Sequence, residues 1–153
     1  MDRGVLLLKL EKRSNPEALC AVRGALGNLV ENLGFSAEDG RSIVRAVDEA
    51  LANVIRHAYH GRGEQPIEIF FRRIEGQHAG LRQSALEILM EDQGAPVDKK
   101  KLRGRDLNDV KPGGLGLHFM RECMDSVEFR RGKGKNQLRL VKFLSIVAPN
   151  PMG

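Results

Sequence analysis

The chain lacks tryptophan, and its 153 residues include one Tyr and two Cys. The shortage of large aromatic residues argues against a platform on which the bases of single-stranded nucleic acid could stack. Cys20 and Cys123 lie far apart and without the spacing of metal ligands, so we expect two reduced, mostly buried thiols. No apolar run approaches the ~20 residues that span a membrane. These absences exclude a membrane span and predict a cytoplasmic protein.

Positive charge is only slightly in excess of negative charge. The 25 Lys and Arg residues against 20 Asp and Glu residues give a net charge of +5. Because the basic residues are spread along the chain, the excess favours acidic partners or polyphosphates and does not indicate direct nucleic-acid binding. The length suits one domain, which we assign to residues 1–148, followed by a frayed tail over 149–153.

The hydrophobic pattern alternates between strand and helix signals. Residues 4–10 predict a strand, Ser14-Asn15-Pro16 predicts a helix start, and Ser36 is expected to cap a second helix that ends near Gly61. Further strands are expected at 67–71, 86–90, 126–130 and 138–147, with a short helix over 115–124. The strands are mostly consecutive, and the helices can all lie on one face. The chain is therefore predicted to be an α+β two-layer sandwich with a mixed, mostly antiparallel sheet.

The second predicted helix carries a carboxylate, a carboxamide and an imidazole at successive spacings of four: Glu49, Asn53 and His57. At about 100° per residue, these side chains fall within an arc of about 80° and can face one cavity. Glu49 is a possible proton acceptor and Asn53 a possible metal ligand. For His57 two interpretations stay open, a packing residue bonded to the backbone or a direct contact to phosphate or metal.

Two glycine-containing segments follow in order. Asp92-Gln93-Gly94-Ala95-Pro96 ends an apolar strand, where an Asp can bind the amino group of adenine. Gly113-Gly114-Leu115-Gly116-Leu117 opens a helix, where backbone N–H groups can approach phosphates. Each segment alone is weak evidence, and the ordered set of three predicts a nucleotide pocket.

Together these three segments resemble the nucleotide-binding boxes of the GHKL ATPase superfamily. Within it, the chain resembles the small stand-alone serine protein kinases that act as anti-sigma factors in bacterial partner switching, over almost its whole length. The resemblance implies the Bergerat-type ATP-binding fold, ATP with Mg²⁺, and phosphorylation of a Ser or Thr on a STAS-type anti-anti-sigma protein. It further implies that the protein sequesters a sigma factor or another regulator and forms a homodimer.

The resemblance also implies roles for individual residues. Glu49 matches the catalytic residue that orients or deprotonates the attacking hydroxyl, Asn53 the Mg²⁺ ligand and Asp92 the adenine reader. Apart from the resemblance, two interpretations stay open for the basic segment between the second and third boxes: it is a solvated run of charge, or it supplies one cation, Arg105, to the γ-phosphate. The residues expected to contact nucleotide are Asn53, His57, Asp92, Gly94, Pro96, Arg105, Gly113, Gly114, Leu115, Gly116 and Leu117.

One position departs from the family pattern. Members often carry a Gly-Thr pair entering the last strand, whereas this chain has Asn136-Gln137, so a hydroxyl contact there is missing or is supplied by water. Two alternatives to a serine kinase stay open. One is a nucleotide-gated binding module without phosphoryl transfer, and the other is the catalytic fragment of a sensor histidine kinase.

Overall fold

The computed structural model describes residues 4–98 and 116–145. These ranges contain the elements β1 (Val5–Arg13), α1 (Glu17–Leu33), α2 (Ala37–Asn53), β2 (Pro66–His78), β3 (Leu81–Asp92), α3 (Leu117–Cys123), β4 (Ser126–Gly132) and β5 (Lys135–Phe143). The order of strands and helices matches the order that the hydrophobic pattern predicts. The tail proposed over 149–153 and the basic segment that contains Arg105 lie outside the described residues.

The strands form a five-stranded sheet in the order β1-β2-β3-β5-β4. Every neighbouring pair is antiparallel, so the described sheet has no parallel member. The β2–β3 hairpin extends well beyond the apolar runs that predicted it, with Ile67 to His78 paired against Leu81 to Asp92. Backbone pairing continues through the polar end of this hairpin, where apolar alternation gives no signal.

The helices and one face of the sheet share a single core. Along β2 the residues Ile67, Ile69 and Phe71 are buried, while Glu68 and Phe70 between them are only half-buried. This period-two alternation means that one face of the sheet is covered. The helical side of the same core includes Val22, Leu26, Ile43, Val47 and Leu51. Burying each such side chain contributes about 1.5–3 kcal/mol before conformational entropy is subtracted. The predicted two-layer sandwich is confirmed.

The start of α2 follows the sequence prediction, but its end does not. The Ser36 hydroxyl accepts a hydrogen bond from the Asp39 backbone N–H at 3.0 Å, which caps the helix. The α-helix then ends at Asn53 and continues as a π-helical turn over Val54–Ala58. Hydrophobic periodicity identifies the helical segment but does not distinguish i→i+4 from i→i+5 hydrogen bonding.

The two thiols differ in exposure. Cys123 is buried, as expected, whereas Cys20 is exposed on α1, so the expectation of two buried thiols is wrong for Cys20. Cys20 lies outside the buried stripe of α1, which is formed by Ala18, Val22, Leu26 and Val30. In the described part of the chain, no helix combines the length and the apolar character needed to cross a bilayer.

Candidate active site

The first wall of the site is the end of α2 and the π-helical turn that follows it. Asn53 is 8% exposed with its Oδ1 atom fully buried, and the Nε2 atom of His57 is buried nearby. Both residues line one cavity, as their spacing predicted. The π-helical turn changes their relation, however, because four residues are less than a full turn where hydrogen bonds run i→i+5. Such turns occur frequently at functional sites.

Glu49 lies one helical turn before Asn53 and does not line the same cavity. Its Oε1 atom is 3.7 Å from Nη2 of Arg56, and 29% of its side chain is exposed. Partial burial raises the pKa of the Glu49 carboxyl group, and the Arg56 charge partly offsets that rise. A carboxylate with a raised pKa is a better proton acceptor near neutral pH.

Gly116, the last glycine of the third segment, packs directly on Glu49. Its backbone has φ +63°, and a Cβ atom there would lie 2.5 Å from Oε1, 2.7 Å from Cγ and 2.8 Å from Cδ of Glu49. Both the left-handed backbone and the lack of space require glycine. The first and third segments therefore meet at this point, where α3 begins.

Asp92 ends β3 and is 5% exposed. Its Oδ1 atom accepts hydrogen bonds from the backbone N–H of Gly94 at 2.9 Å and from Nδ2 of Asn136 at 2.8 Å. Burial raises the pKa of the Asp92 carboxyl group, while these two bonds and the nearby Arg131 charge lower it. The site thus holds a buried carboxylate whose two described bonds both go to one oxygen.

The turn after Asp92 is tied to the π-helical turn. The Ala95 N–H donates to the Ala58 carbonyl at 2.8 Å, and the Gln93 N–H donates to the Tyr59 hydroxyl, also at 2.8 Å. A Cβ atom on Gly94 would collide with the Ala58 carbonyl. Gly94 is therefore required by this close approach of two backbone segments, and the first and second sequence segments are in direct contact.

Between these walls lies a cavity of about 270 Å³. Its volume is near the lower end of the ~300–1,000 Å³ that is typical of small-molecule sites. Its lining is mostly apolar, with a few polar groups. The apolar members are Ala50, Val54, Ala58, Met90, Ala95, Pro96, Val97, Phe129 and Leu138, and the polar members include Asn53, His57, His60, Asp92, Asp98 and Asn136. A planar nucleobase, with apolar faces and hydrogen-bonding groups along one edge, matches this combination of apolar and polar lining residues.

The structure brings most of the described candidates together. Asn53, His57, Asp92 and Pro96 line the cavity, and Gly94 closely approaches the backbone of the cavity residue Ala58. Gly116 packs instead on Glu49, and neither of these two residues is among those that line the cavity. The side chain of Leu117 is fully buried in the core. Four candidates lie outside the described residues: Arg105, Gly113, Gly114 and Leu115.

Sequence reasoning missed three contributors to the site: Tyr59, Phe129 and Asn136. Asn136 was considered only as the place where a hydroxyl contact is missing or supplied by water, yet its amide directly contacts Asp92. Asn136 lies opposite Asp92 in the β3–β5 register, but the sequence alone does not show which residues of two distant strands pair. Tyr59 follows His57 by two residues, but no pattern in the sequence indicates that its hydroxyl group contacts the turn after Asp92.

The donor set fits Mg²⁺ bound together with phosphates. Among the described residues there is no group of three or more His, Cys, Asp or Glu side chains that could hold a metal alone. Mg²⁺ is usually held by one or two protein oxygens, with phosphate and water completing its shell. The Asn53 carboxamide oxygen, at the end of α2, is a hard oxygen ligand of the required kind.

The fold and the site define a class of protein: a two-layer sandwich that has a partly apolar cavity between the end of a helix and the covered face of an antiparallel sheet. The family model for the histidine kinase-like ATPase domain matches residues 13–142. The chain therefore belongs to the histidine kinase-like ATPase domain family, as the three segments predicted.

The names of curated relatives agree with the enzyme class that the sequence predicted. The chain is 27% identical to the serine-protein kinase RsbW of Bacillus pumilus over 95% of this chain and 90% of that protein. It is 30% identical to RsbW of Halalkalibacterium halodurans, over 84% of this chain and 77% of that protein.

Two solved structures show the same fold. The RsbU and RsbW domains of a Mycobacterium tuberculosis protein align over 93% of this chain and 34% of that chain, with a TM-score of 0.60 and 17% identity. This chain thus spans about a third of that protein. The SiaB–SiaC complex of Pseudomonas aeruginosa aligns over 93% of this chain and 92% of that chain, with a TM-score of 0.56 and 15% identity.

Proposed function

We propose that the protein transfers the γ-phosphate of ATP to a serine or threonine of a small STAS-type anti-anti-sigma protein, and that it sequesters a sigma factor or another regulator. The observation that carries the proposal is the convergence of Asn53, Asp92 and Glu49. Asn53 and Asp92 line one cavity, and Glu49 lies one turn away beneath the start of α3. Relatives named serine-protein kinase support the choice of reaction.

In this proposal the adenine ring occupies the cavity. Met90, Phe129 and Leu138 supply apolar contact, and Asp92 accepts a hydrogen bond from the exocyclic amino group. Because Oδ1 of Asp92 already accepts the two described bonds, Oδ2 is the atom assigned to adenine. Guanine presents a carbonyl at the corresponding position, so a buried carboxylate disfavours it.

Glu49 is assigned the role of accepting the proton of the attacking hydroxyl group. The hydroxyl oxygen forms a bond to the γ-phosphorus, the bond from that phosphorus to the ADP oxygen breaks, and the proton passes to the Glu49 carboxylate. Transfer through a loose transition state needs little covalent help from the protein, so positioning and charge neutralisation dominate. The raised pKa of Glu49 suits a residue that accepts a proton near neutral pH.

Asn53 is assigned to hold Mg²⁺ through Oδ1. When bound, Mg²⁺ neutralises charge on the phosphate oxygens. The remaining work belongs to the chain: Gly116 permits close approach of the backbone, and the buried apolar lining excludes water. Arg105, Gly113, Gly114 and Leu115 retain their proposed phosphate contacts, and His57 its proposed place beside the nucleotide.

A homodimer in the cytoplasm completes the proposal. β1 is an edge strand of the sheet, and its residues Val5 and Leu6 are 54% and 49% exposed. Exposed apolar side chains on an unpaired edge favour association with a second chain. Light scattering of the purified protein should give twice the chain mass, and a monomer at micromolar concentration would contradict the dimer.

The test is incubation of the purified chain with labelled ATP, Mg²⁺ and a STAS protein encoded nearby in the genome. Acid-stable label on a serine or threonine of that protein is the expected result. Nucleotide-dependent binding without label would favour a binding module instead, and acid-labile label would indicate a histidine kinase. Failure of the protein to bind ATP in calorimetry would overturn the proposed function.

A further inference from the structure

A row of three polar residues crosses the sheet beside the cavity, and two of them, Asp92 and Asn136, line it. Asp92 on β3 is directly opposite Asn136 on β5, and Asn136 is directly opposite Arg131 on β4. Residues that face each other on antiparallel strands project to the same side. The register therefore places one carboxylate, one carboxamide and one guanidinium next to one another.

Asn136 is 6% exposed and contacts three neighbours. Its Nδ2 donates to Oδ1 of Asp92 at 2.8 Å and to the carbonyl of Ala95 at 2.8 Å, while its Oδ1 accepts from Nη1 of Arg131 at 3.1 Å. Both amide hydrogens and the amide oxygen therefore have described partners. A buried amide satisfied in this way has one favoured orientation, and it fixes the groups that it bonds.

Arg131 adds a second contact to the same turn. Its Nη1 donates to the carbonyl of Gly94 at 2.8 Å, in addition to its bond to Asn136. The β4–β5 hairpin thus holds the turn at the Asp92 carboxylate, the Gly94 carbonyl and the Ala95 carbonyl. Hydrogen bonds from a charged donor are about twice as strong as neutral ones.

We propose that Asn136 and Arg131 are positioning residues that orient Asp92, and thereby determine the affinity and selectivity of the site for adenine. The proposal rests on the proposed function, because it takes Asp92 as the reader of adenine. By occupying Oδ1, Asn136 directs the other carboxylate oxygen toward the base.

The alternative is that both residues merely stabilise the hairpin. In that case their removal would lower the melting temperature without a selective effect on nucleotide. Orientation of Asp92 predicts instead a rise in KM for ATP with little change in kcat, because the transferred phosphate is far from the base. It also predicts a loss of preference for ATP over GTP.

The experiment compares Asn136→Ala, Arg131→Gln and Asp92→Asn with the unmodified chain by calorimetry with ATP and GTP. Asn136→Ala should weaken ATP binding about tenfold, the loss that corresponds to about 1.4 kcal/mol and one hydrogen bond to a charged group. Arg131→Gln, at an exposed position, should weaken it about threefold. Arg139→Ala is the matched control, since it removes a 2.8 Å bond to Glu87 elsewhere on β5 and should leave ATP binding unchanged.

A second readout does not require nucleotide. Carboxyl NMR should show that the pKa of Asp92 rises in Asn136→Ala and in Arg131→Gln, because both residues lower it in the native chain. Neither substitution replaces the other titratable residues around Asp92, which are Tyr59 beside it and the cavity residues His57, His60 and Asp98. The pKa of Asp92 in Arg139→Ala should match that of the unmodified chain.

Two failures are distinguishable. If the unmodified chain binds ATP and Asp92→Asn weakens binding, while folded Asn136→Ala and Arg131→Gln bind ATP and GTP as the unmodified chain does, the positioning roles are wrong and the nucleotide site stands. If the unmodified chain binds neither nucleotide, the proposed function is wrong and the positioning roles fall with it. A rise in the pKa of Asp92 together with a tenfold loss of ATP affinity would support the inference.

Discussion

Strand β3 presents two acidic residues in succession, Glu91 and Asp92, and the two faces of the sheet treat them differently. Glu91 faces the uncovered side, where Gln137 Nε2 lies at 3.0 Å and Lys135 Nζ at 3.8 Å. Asp92 faces the helices, is 5% exposed, and takes its two described bonds on one oxygen from a backbone N–H and an amide.

The uncovered face continues the pattern of Glu91. Glu87 pairs there with Arg139 at 2.8 Å and with Arg72 at 3.9 Å, and Lys9 pairs with Glu68 at 3.4 Å. Ion pairs at such partly exposed surface positions contribute little free energy each, and they keep an open sheet face soluble. The covered face instead holds a few polar groups in an apolar wall. Burial and hydrogen-bond partners, rather than residue type, therefore distinguish Asp92 from Glu91.

The largest effect should come from removing the proposed proton acceptor, Glu49 on α2. Glu49→Gln keeps the size of the side chain and should lower kcat by about 10²–10⁴, the usual contribution of general base catalysis. The measurement is transfer of labelled phosphate to the STAS protein. Glu87→Gln makes the same change on the uncovered face and should retain activity within about twofold. Full activity in Glu49→Gln would remove that residue from the reaction.

Asn53→Ala should lower the rate of Mg²⁺-dependent phosphate transfer by about 10²-fold or more, an effect similar to that of Glu49→Gln. The expected cause is loss of the oxygen ligand on α2, since the substitution leaves the apolar lining in place. Titration of activity against Mg²⁺ concentration checks this role. If the half-saturating Mg²⁺ concentration and kcat both match those of the unmodified chain, Asn53 does not bind the metal.

Exchanging the two neighbouring acidic residues at the end of β3 for their amides tests the comparison directly. Asp92→Asn should weaken ATP binding by about 10–100-fold, because an acceptor in the cavity is lost. Glu91→Gln, one residue earlier, should change it by less than twofold. Calorimetry with a non-hydrolysable ATP analogue measures both variants. Equal affinities in the two variants would show that the covered face has no special role in binding.

Gly94→Ala should lower the free energy of unfolding by about 1–3 kcal/mol, which is typical of overpacking. The added methyl group would collide with the Ala58 carbonyl, where the second segment meets the π-helical turn. Gly132→Ala is the control, because a methyl group added there would have no atom within 4 Å beyond its own chain neighbours. Urea denaturation compares the two variants, and equal midpoints would contradict the close approach.

The smallest effect should be a displacement of the pH profile. Arg56 lowers the pKa of the Glu49 carboxyl group, so Arg56→Gln should raise that pKa and move the acid limb of kcat/KM to higher pH. The sign follows because Glu49 accepts a proton only when ionised. Arg23→Gln, which breaks the 3.1 Å pair with Asp48 next to Glu49, should leave the limb unchanged. A limb that does not move in Arg56→Gln would assign it to another group.

Much of the fold was predictable because its signals are local. Ser36 caps α2 as predicted, and the buried alternation of β2 identifies the covered face of the sheet. The end of α2 was not predictable, since the π-helical turn depends on how Ala58 and Tyr59 pack against the turn after Asp92. Of the site, Asn53, His57 and Asp92 were identified from motif order. Asn136 was not, because its partner Asp92 is 44 residues away in sequence.

The order of elements, the family and the identity of the polar groups follow from periodicity, capping and motif spacing, which act over a few residues. Which atoms those groups present to the cavity depends instead on how the sheet packs against the helices. The contact of Gly116 with Glu49 and the row Asp92, Asn136, Arg131 both join segments distant in sequence. Their chemistry depends on burial and on long-range strand register, which exist only once the sheet has formed against the helices.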